Sequence, residues 1–138
     1  IVERISFKIE IDESCLDTKI PALTLQPLVE NSFIHGVEGL EEGGVISLKI
    51  YQDDQNVIVE VTDNGKGIDE ETKQRIFSRE RIDLHEEHSG HSTGIGLRNV
   101  IKRLELVYKQ QGILDISSEL NKGTTIRLKL PDRKGEIV

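Results

Sequence analysis

Asp63-Asn64-Gly65-Lys66-Gly67-Ile68 follows a segment in which Val57, Val59 and Val61 alternate with Glu60 and Thr62, the period-two pattern of a half-buried strand. Asp63 therefore falls where a strand runs out into a turn. Gly65 and Gly67 can take positive φ and carry no Cβ, so the chain can bend sharply while a flat ring approaches the backbone. Two readings fit this turn. A carboxylate at a strand end can accept a hydrogen bond from an adenine amino group, and Asp-Asn-Gly is also a common structural turn.

Two other segments bear on the choice. After Thr93-Gly94-Ile95-Gly96-Leu97, the residues Leu97, Val100, Ile101, Leu104, Val107 and Tyr108 recur at helical spacing, which puts the glycines at the amino end of an amphipathic helix. Free N–H groups and the positive end of the helix dipole favour phosphate there, although a flexible loop before an ordinary surface helix reads the same way. In Leu25-Gln26-Pro27-Leu28-Val29-Glu30-Asn31-Ser32-Phe33-Ile34-His35-Gly36, a helical stripe is expected of Leu25, Leu28, Val29 and Phe33, with Pro27 in the first turn and Gly36 at the end. Asn31 and His35 then lie one turn apart beside that stripe, and Glu30 projects elsewhere. The amide oxygen of Asn31 suits Mg²⁺, a hard ion that prefers oxygen ligands. Alternatively Asn31 is a surface amide and His35 a residue that complements the helix dipole.

In this order, an asparagine-bearing helix, a DNGKGI turn, a TGIGL helix start and the strand entry Gly123-Thr124 resemble the ATP-binding domain shared by gyrase, mismatch-repair ATPases and histidine kinases. LQPLVENSFIHG together with GIGLRNVIKRL resembles more closely the catalytic and ATP-binding domain of LytS/YesM-type bacterial sensor histidine kinases. The resemblance runs from about Ile5 to Pro131 and rests on several ordered motifs, which is more specific than any one of them. It implies an α+β fold of Bergerat type, a two-layer α/β sandwich with a mixed sheet of about five strands on about three helices. The domain would span residues 1–131, with a lid over about 69–93 and a tail at 132–138.

Carried over by position, the resemblance implies that the chain binds ATP with Mg²⁺. Asn31 would ligate the metal, Asp63 would accept from the adenine amino group, and Gly67 would flank the ring, with Gly65 and Ile68 also among the ATP-binding residues. Thr124 would support Asp63 through a water-mediated contact to the base, Gly94 and Gly96 would give backbone donors to the phosphates, and His35, Thr93, Ile95 and Leu97 would complete the ATP-binding residues. Two positions depart from the pattern. Pro27 stands where the hydrolytic relatives carry a general-base glutamate, so efficient hydrolysis in their manner is not expected and no catalytic residue is assigned. Ile34 stands where many histidine kinases carry a basic residue, which leaves charge neutralisation to His35, Arg98 or backbone groups. The implied activity is phosphoryl transfer to a histidine on dimerisation and phosphoacceptor helices outside this chain, with a response regulator downstream. A nucleotide-binding regulatory module without kinase activity, or an anti-sigma-type serine kinase, is the alternative.

Composition is compatible with this. The 138 residues suit one domain and one core. A formal charge of −7 argues against a nonspecific nucleic-acid binder. No stretch has the length of a membrane span and no secretory pattern opens the chain; the resemblance implies a cytoplasmic domain without membrane contact, its parent anchored in the bacterial inner or cell membrane. The single Cys15 cannot form an internal disulfide.

Further along, Ile5, Phe7, Ile9 and Ile11 alternate as a first strand, Ile46, Leu48 and Ile50 as a second, and Asp53 to Asn56 reads as a hairpin turn into the third. Asp69 can cap a short helix through Phe77. Gly112 is expected to close the long helix, Ile113 to Ser118 to extend, and Thr125 to Leu130 to return after an Asn121-Lys122-Gly123 turn. His85, His88 and His91 raise the thought of zinc, but the run lacks cysteine and reads more plainly as a charged lid. Glu30 reads as a solvent-facing or domain-facing carboxylate rather than a base.

Overall fold

The computed structural model describes residues 5–78 and 95–132. The alternating segments become five strands: β1 (Ile5–Ile11), β2 (Gly44–Asp53), β3 (Asn56–Asp63), β4 (Leu114–Glu119) and β5 (Gly123–Pro131). They form one mixed sheet in the order β1-β2-β3-β5-β4. Only β1 and β2 are parallel; the remaining pairs are antiparallel. A parallel pair needs a crossover, and α1 (Leu25–Asn31) lies within it. The β2–β3 hairpin turns through Asp54 and Gln55, with Asp54 at φ 53°, matching the expected turn.

Two further helices complete the second layer, α2 (Glu70–Phe77) and α3 (Ile95–Tyr108). The Asp69 carboxylate caps α2 by accepting from the Thr72 N–H at 2.7 Å. Leu28 of α1, Ile76 of α2 and Leu97, Val100, Leu104 and Tyr108 of α3 pack on Val57, Val59, Val61, Ile126 and Leu128 of the sheet. The opposite face is mainly polar: the Tyr51 hydroxyl donates to Glu60 Oε1 at 2.6 Å, and Arg127 Nε lies 3.3 Å from the same oxygen. A mixed five-stranded sheet under a helical layer is the expected two-layer architecture.

Three local expectations need correction. Gly36 does not end the first helix: a π-helical stretch, Ser32–Val37, continues it. The wider turn shifts the phase, burying Ser32, Gly36 and Val37 and leaving Phe33 38% exposed, outside the buried stripe. Gly112 does not close α3, which ends at Tyr108; Lys109, at φ 53°, takes the left-handed turn, and Gly112 follows beyond it. The first strand forms over Ile5–Ile11 as expected, with Phe7, Ile9 and Ile11 exposed at the edge of the sheet. Conversely, Ile58 is fully buried on the polar face, in register with Tyr51 and Lys129, so β3 is covered on both sides at that position, while Thr62 on the same face is exposed.

Core membership can be tested within one helix. Leu104 is fully buried and Leu106 is 78% exposed. Leu104→Ala should lower unfolding stability by about 2–5 kcal/mol, whereas Leu106→Ala should change it by less than about 0.5 kcal/mol. Urea denaturation of both variants would check this, and equal effects would contradict the assigned face of α3.

Candidate functional site

β3 ends at Asp63, which the sheet register places beside Thr124 of β5 and Ile46 of β2. Asp63 is 4% exposed, and its Oδ1 accepts from the Gly65 N–H at 2.8 Å, so the carboxylate folds the turn that follows it. Burial pushes its carboxyl above the ordinary value, opposed by the Gly65 N–H, the Ser32 hydroxyl and the Thr124 backbone. The Ser32 hydroxyl stands near that carboxylate yet makes no hydrogen bond of good geometry.

The helix approaches this turn more closely than a side chain would permit. A Cβ on Gly36 would lie 2.8 Å from the Asp63 carboxyl carbon, and one on Gly65 would collide with the Gly36 carbonyl. Backbone meets backbone here, and the Lys66 N–H donates to the Gly36 carbonyl at 3.3 Å. Gly67 follows at φ 80°, a conformation that L side chains rarely adopt, and a Cβ there would strike the Glu119 carbonyl.

The β4–β5 corner holds the turn from the other side. The Ile68 N–H donates to Ser118 Oγ at 2.7 Å, and that hydroxyl lies 2.8 Å from Thr124 Oγ1 and 3.0 Å from the Gly123 carbonyl oxygen. The Asn121 N–H donates to the Lys66 carbonyl at 2.7 Å. Asn64 braces β2, its Oδ1 accepting from the Val45 N–H and its Nδ2 donating to the Gly43 carbonyl, both at 2.8 Å. Asn64, Ser118 and Ser32 were not singled out from the sequence. A serine on a strand or helix gives no signal until the register shows what it faces.

Beside this floor is a cavity of 340 Å³, with His35, Lys66, Gly67, Ile68 and Thr72 among its lining residues. Burial chiefly, and then the charge of Lys66, lower the His35 pKa, while Glu38 raises it in part. The imidazole is thus biased toward its neutral form beside a cation. Arg98, 6% exposed, lines a separate 310 Å³ cavity with Ile76, Phe77 and Ile101, on the α2 side of α3.

The structure thus joins Asp63, Gly65, Gly67, Ile68 and Thr124 into one hydrogen-bonded unit with His35 at its border. Asn31 lies on the same helix, only 9% exposed, and offers the oxygen-bearing side chain that Mg²⁺ prefers. Gly96 is in the first turn of α3 with open space around it, while the Leu97 side chain belongs to the core. Thr93, Gly94 and the three spaced histidines, His85, His88 and His91, lie outside the described residues, as do most of the expected lid and the tail. Glu30 is exposed and accepts from Gln26 Nε2 at 2.8 Å, in keeping with a solvent-facing role. Cys15 is buried. Among the described residues, no group of His, Cys, Asp and Glu side chains could hold a metal, and no helix is long and apolar enough to cross a membrane.

Comparison with known proteins gives the chain's family and supports its fold. Residues 17–134 match the family model described as histidine kinase-, DNA gyrase B-, and HSP90-like ATPase. The sensor protein LytS of Oceanobacillus iheyensis is 35% identical over 131 residues, covering 95% of this chain and 22% of that protein. The sensor histidine kinase YesM of Bacillus subtilis is 32% identical over 131 residues, with 95% and 20% covered. The chain therefore spans about a fifth of the length of the curated relatives it matches. In fold, it is similar to the catalytic domain of histidine kinase ThkA, at a TM-score of 0.65 and 23% identity over 93% of this chain and 79% of that one. The mycobacterial sensor histidine kinase MprB has a TM-score of 0.59 at 21% identity, over 94% of this chain and 83% of that one. With a family model matched over most of its length and the corresponding sheet and helices in place, this chain belongs to the histidine kinase-, DNA gyrase B- and HSP90-like ATPase family.

Proposed function

We propose that the chain is the ATP-binding catalytic domain of a two-component sensor histidine kinase, with residues 1–131 as the domain. It binds Mg·ATP and presents the γ-phosphoryl group to a histidine on the dimerisation helices of a longer parent protein, leaving ADP. The phosphoryl group then passes to a response regulator. The domain is cytoplasmic and its parent is anchored in the membrane. The observation that carries this reading is the buried Asp63 carboxylate in a glycine-framed turn beside a cavity, in a chain whose sequence relatives include named sensor kinases.

In this reading Asp63 accepts from the adenine amino group, Thr124 supports it, and Gly65, Gly67 and Ile68 flank the ring. Asn31 ligates Mg²⁺, and Thr93 to Leu97 meet the phosphates through their backbone, under a lid at about 69–93. Lys66, which shares the cavity with His35, supplies the cation that Ile34 does not. Arg98 is less suited to that task, since it lines the other cavity. Phosphoryl transfer depends mainly on positioning and charge neutralisation, which such a site can provide.

The deciding experiment mixes this chain with the preceding segment of its parent and labelled ATP. Acid-labile label should appear on a histidine of that segment, and the chain alone should remain unlabelled. Nucleotide binding with no transfer would favour a regulatory module instead.

Asp63→Asn should weaken ATP binding about 10- to 100-fold, since the amide can turn a donor toward the adenine amino group and lose a hydrogen bond to a charged acceptor. It should not destabilise the fold. Because burial raises the folded-state pKa above the unfolded one, the folded protein binds more protons between the two values, and Asp63's contribution to stability falls as pH rises through that window. The variant should therefore melt at the same or a higher temperature than the parent near neutral pH, with the difference shrinking toward acid. Calorimetry and melting curves against pH would check both, and undiminished ATP affinity would refute the adenine role.

Asn31→Ala should weaken ATP binding about tenfold when Mg²⁺ is present, with ADP binding in chelator little changed. An equal loss under both conditions would make Asn31 structural.

A further inference from the structure

β1 ends the sheet on one side, and among the described residues it has a strand neighbour on one side only. Edge strands usually carry a proline, a bulge or some other device against pairing with another chain. β1 is seven residues long, contains no proline, and runs in unbroken register with β2. The Asp12 N–H donates to the Ile50 carbonyl at 2.9 Å. Backbone groups alternate in direction along a strand, so those of Lys8 and Glu10 also address β2, and those of Phe7, Ile9 and Ile11 face the open edge. The side chains of these three apolar residues are in register with Ile46, Leu48 and Ile50, on the face that the helices cover, yet they are exposed, Ile9 at 69%. Lys8 and Glu10 stand on the opposite face. Lys49, in register with Glu10, is turned toward the Tyr51 ring, 5.3 Å from its centroid, which leaves Glu10 open to another cation.

We propose that β1 is a self-association edge: two copies of this chain pair their first strands antiparallel about a two-fold axis at Ile9, joining two five-stranded sheets into one. The run Phe7-Lys8-Ile9-Glu10-Ile11 selects that register. Centred on Ile9, the pairing sets Lys8 opposite Glu10 of the other copy, twice, and Phe7 opposite Ile11, also twice. Centred on Lys8 or Glu10 it would bring like charges face to face, centred on Ile11 it would set Glu10 against Asp12, and centred on Phe7 it would give Lys8 only Ser6. The backbone agrees with the choice. Ile9, whose N–H and C=O face outward, exchanges both bonds with its own copy, and the Lys8–Glu10 pairs then fall at non-hydrogen-bonded positions, where side chains come closest. Opposite charges there favour pairing and like charges oppose it. Such a contact is self-complementary, as a closed dimer requires, and it gathers the apolar stripes of both copies into one strip on the helix-bearing face. A net charge of −7 on each chain works against association, so the dimer belongs to high protein concentration. Nothing in this proposal depends on the nucleotide reading given above.

The test is sedimentation velocity of the 138-residue chain across a concentration series, beside Lys8→Glu, Glu10→Lys and an equimolar mixture of these two variants, with melting curves to show that each is folded. The unaltered chain should dimerise as concentration rises. Each variant alone sets like charges opposite one another at both pairs, and its dimer dissociation constant should rise about tenfold or more. The mixture should recover dimers of nearly the original strength, because one altered strand is then acidic and the other basic at both pairs. Ile9→Glu, at the centre of the exposed stripe, should also abolish dimers, so the outcome does not depend on the charged positions alone. A chain that stays monomeric throughout would overturn the proposal, as would dimers that survive both charge reversals or a mixture that remains monomeric. If the chain is monomeric and a longer fragment carrying the preceding segment of its parent protects the β1 amides from hydrogen exchange, that segment covers the edge and the self-pairing reading falls.

Discussion

The contact of Gly36 with the Asp63 carboxylate and the Gly65 backbone fixes the geometry on which the candidate site depends. A helix end, a strand end and a turn meet where no Cβ fits at either glycine. Ser32, which precedes Gly36 on the helix, and Thr124, which faces Asp63 across β5, are placed by the same contact and by the sheet register. A carboxylate held this way keeps its position before any ligand arrives, and its burial disfavours ionisation. Such tension between stability and chemistry is expected of a binding group, and it is less natural in a turn that serves structure alone.

Much of the scaffold was legible because period-two and helical patterns report burial directly. The strands, the helix capped by Asp69 and the amphipathic α3 follow from that logic. The alternation of β1 marks a strand without marking its burial, since an edge strand keeps the pattern and still exposes Phe7, Ile9 and Ile11. A π-helical turn breaks the 3.6-residue phase, so a wheel drawn through Asn31 misplaced Phe33. Nothing in Ser-Phe-Ile-His-Gly announces that extra residue in the turn; it becomes intelligible once Gly36 is seen against Asp63.

The site was legible in part, and the difference follows the kind of interaction. Asp63, Gly65 and Gly67 stood out because a strand end and two glycines mark backbone geometry. Ser118 was invisible, since its work is to connect Ile68, Gly123 and Thr124 across a strand corner that only the β4–β5 register creates. The candidate cation was also hidden. Lys66 reads as the variable residue of a turn until the fold brings it to the cavity that His35 lines.

A net charge of −7 would oppose an anionic ligand if binding relied on the field of the whole protein. The arrangement around Asp63 makes a different demand. Its close contacts are backbone N–H and carbonyl groups, small hydroxyls and glycines, with Lys66 as a local charge at the border. Groups of this kind act over a few ångströms and are insensitive to distant surface charge, which salt screens beyond a Debye length of about 8–10 Å. The hydrogen bonds that hold the turn around Asp63 do not involve a side chain at position 34. Ile34, 51% exposed on the π-helical turn, is one local departure from the family pattern that leaves the glycine-framed geometry intact.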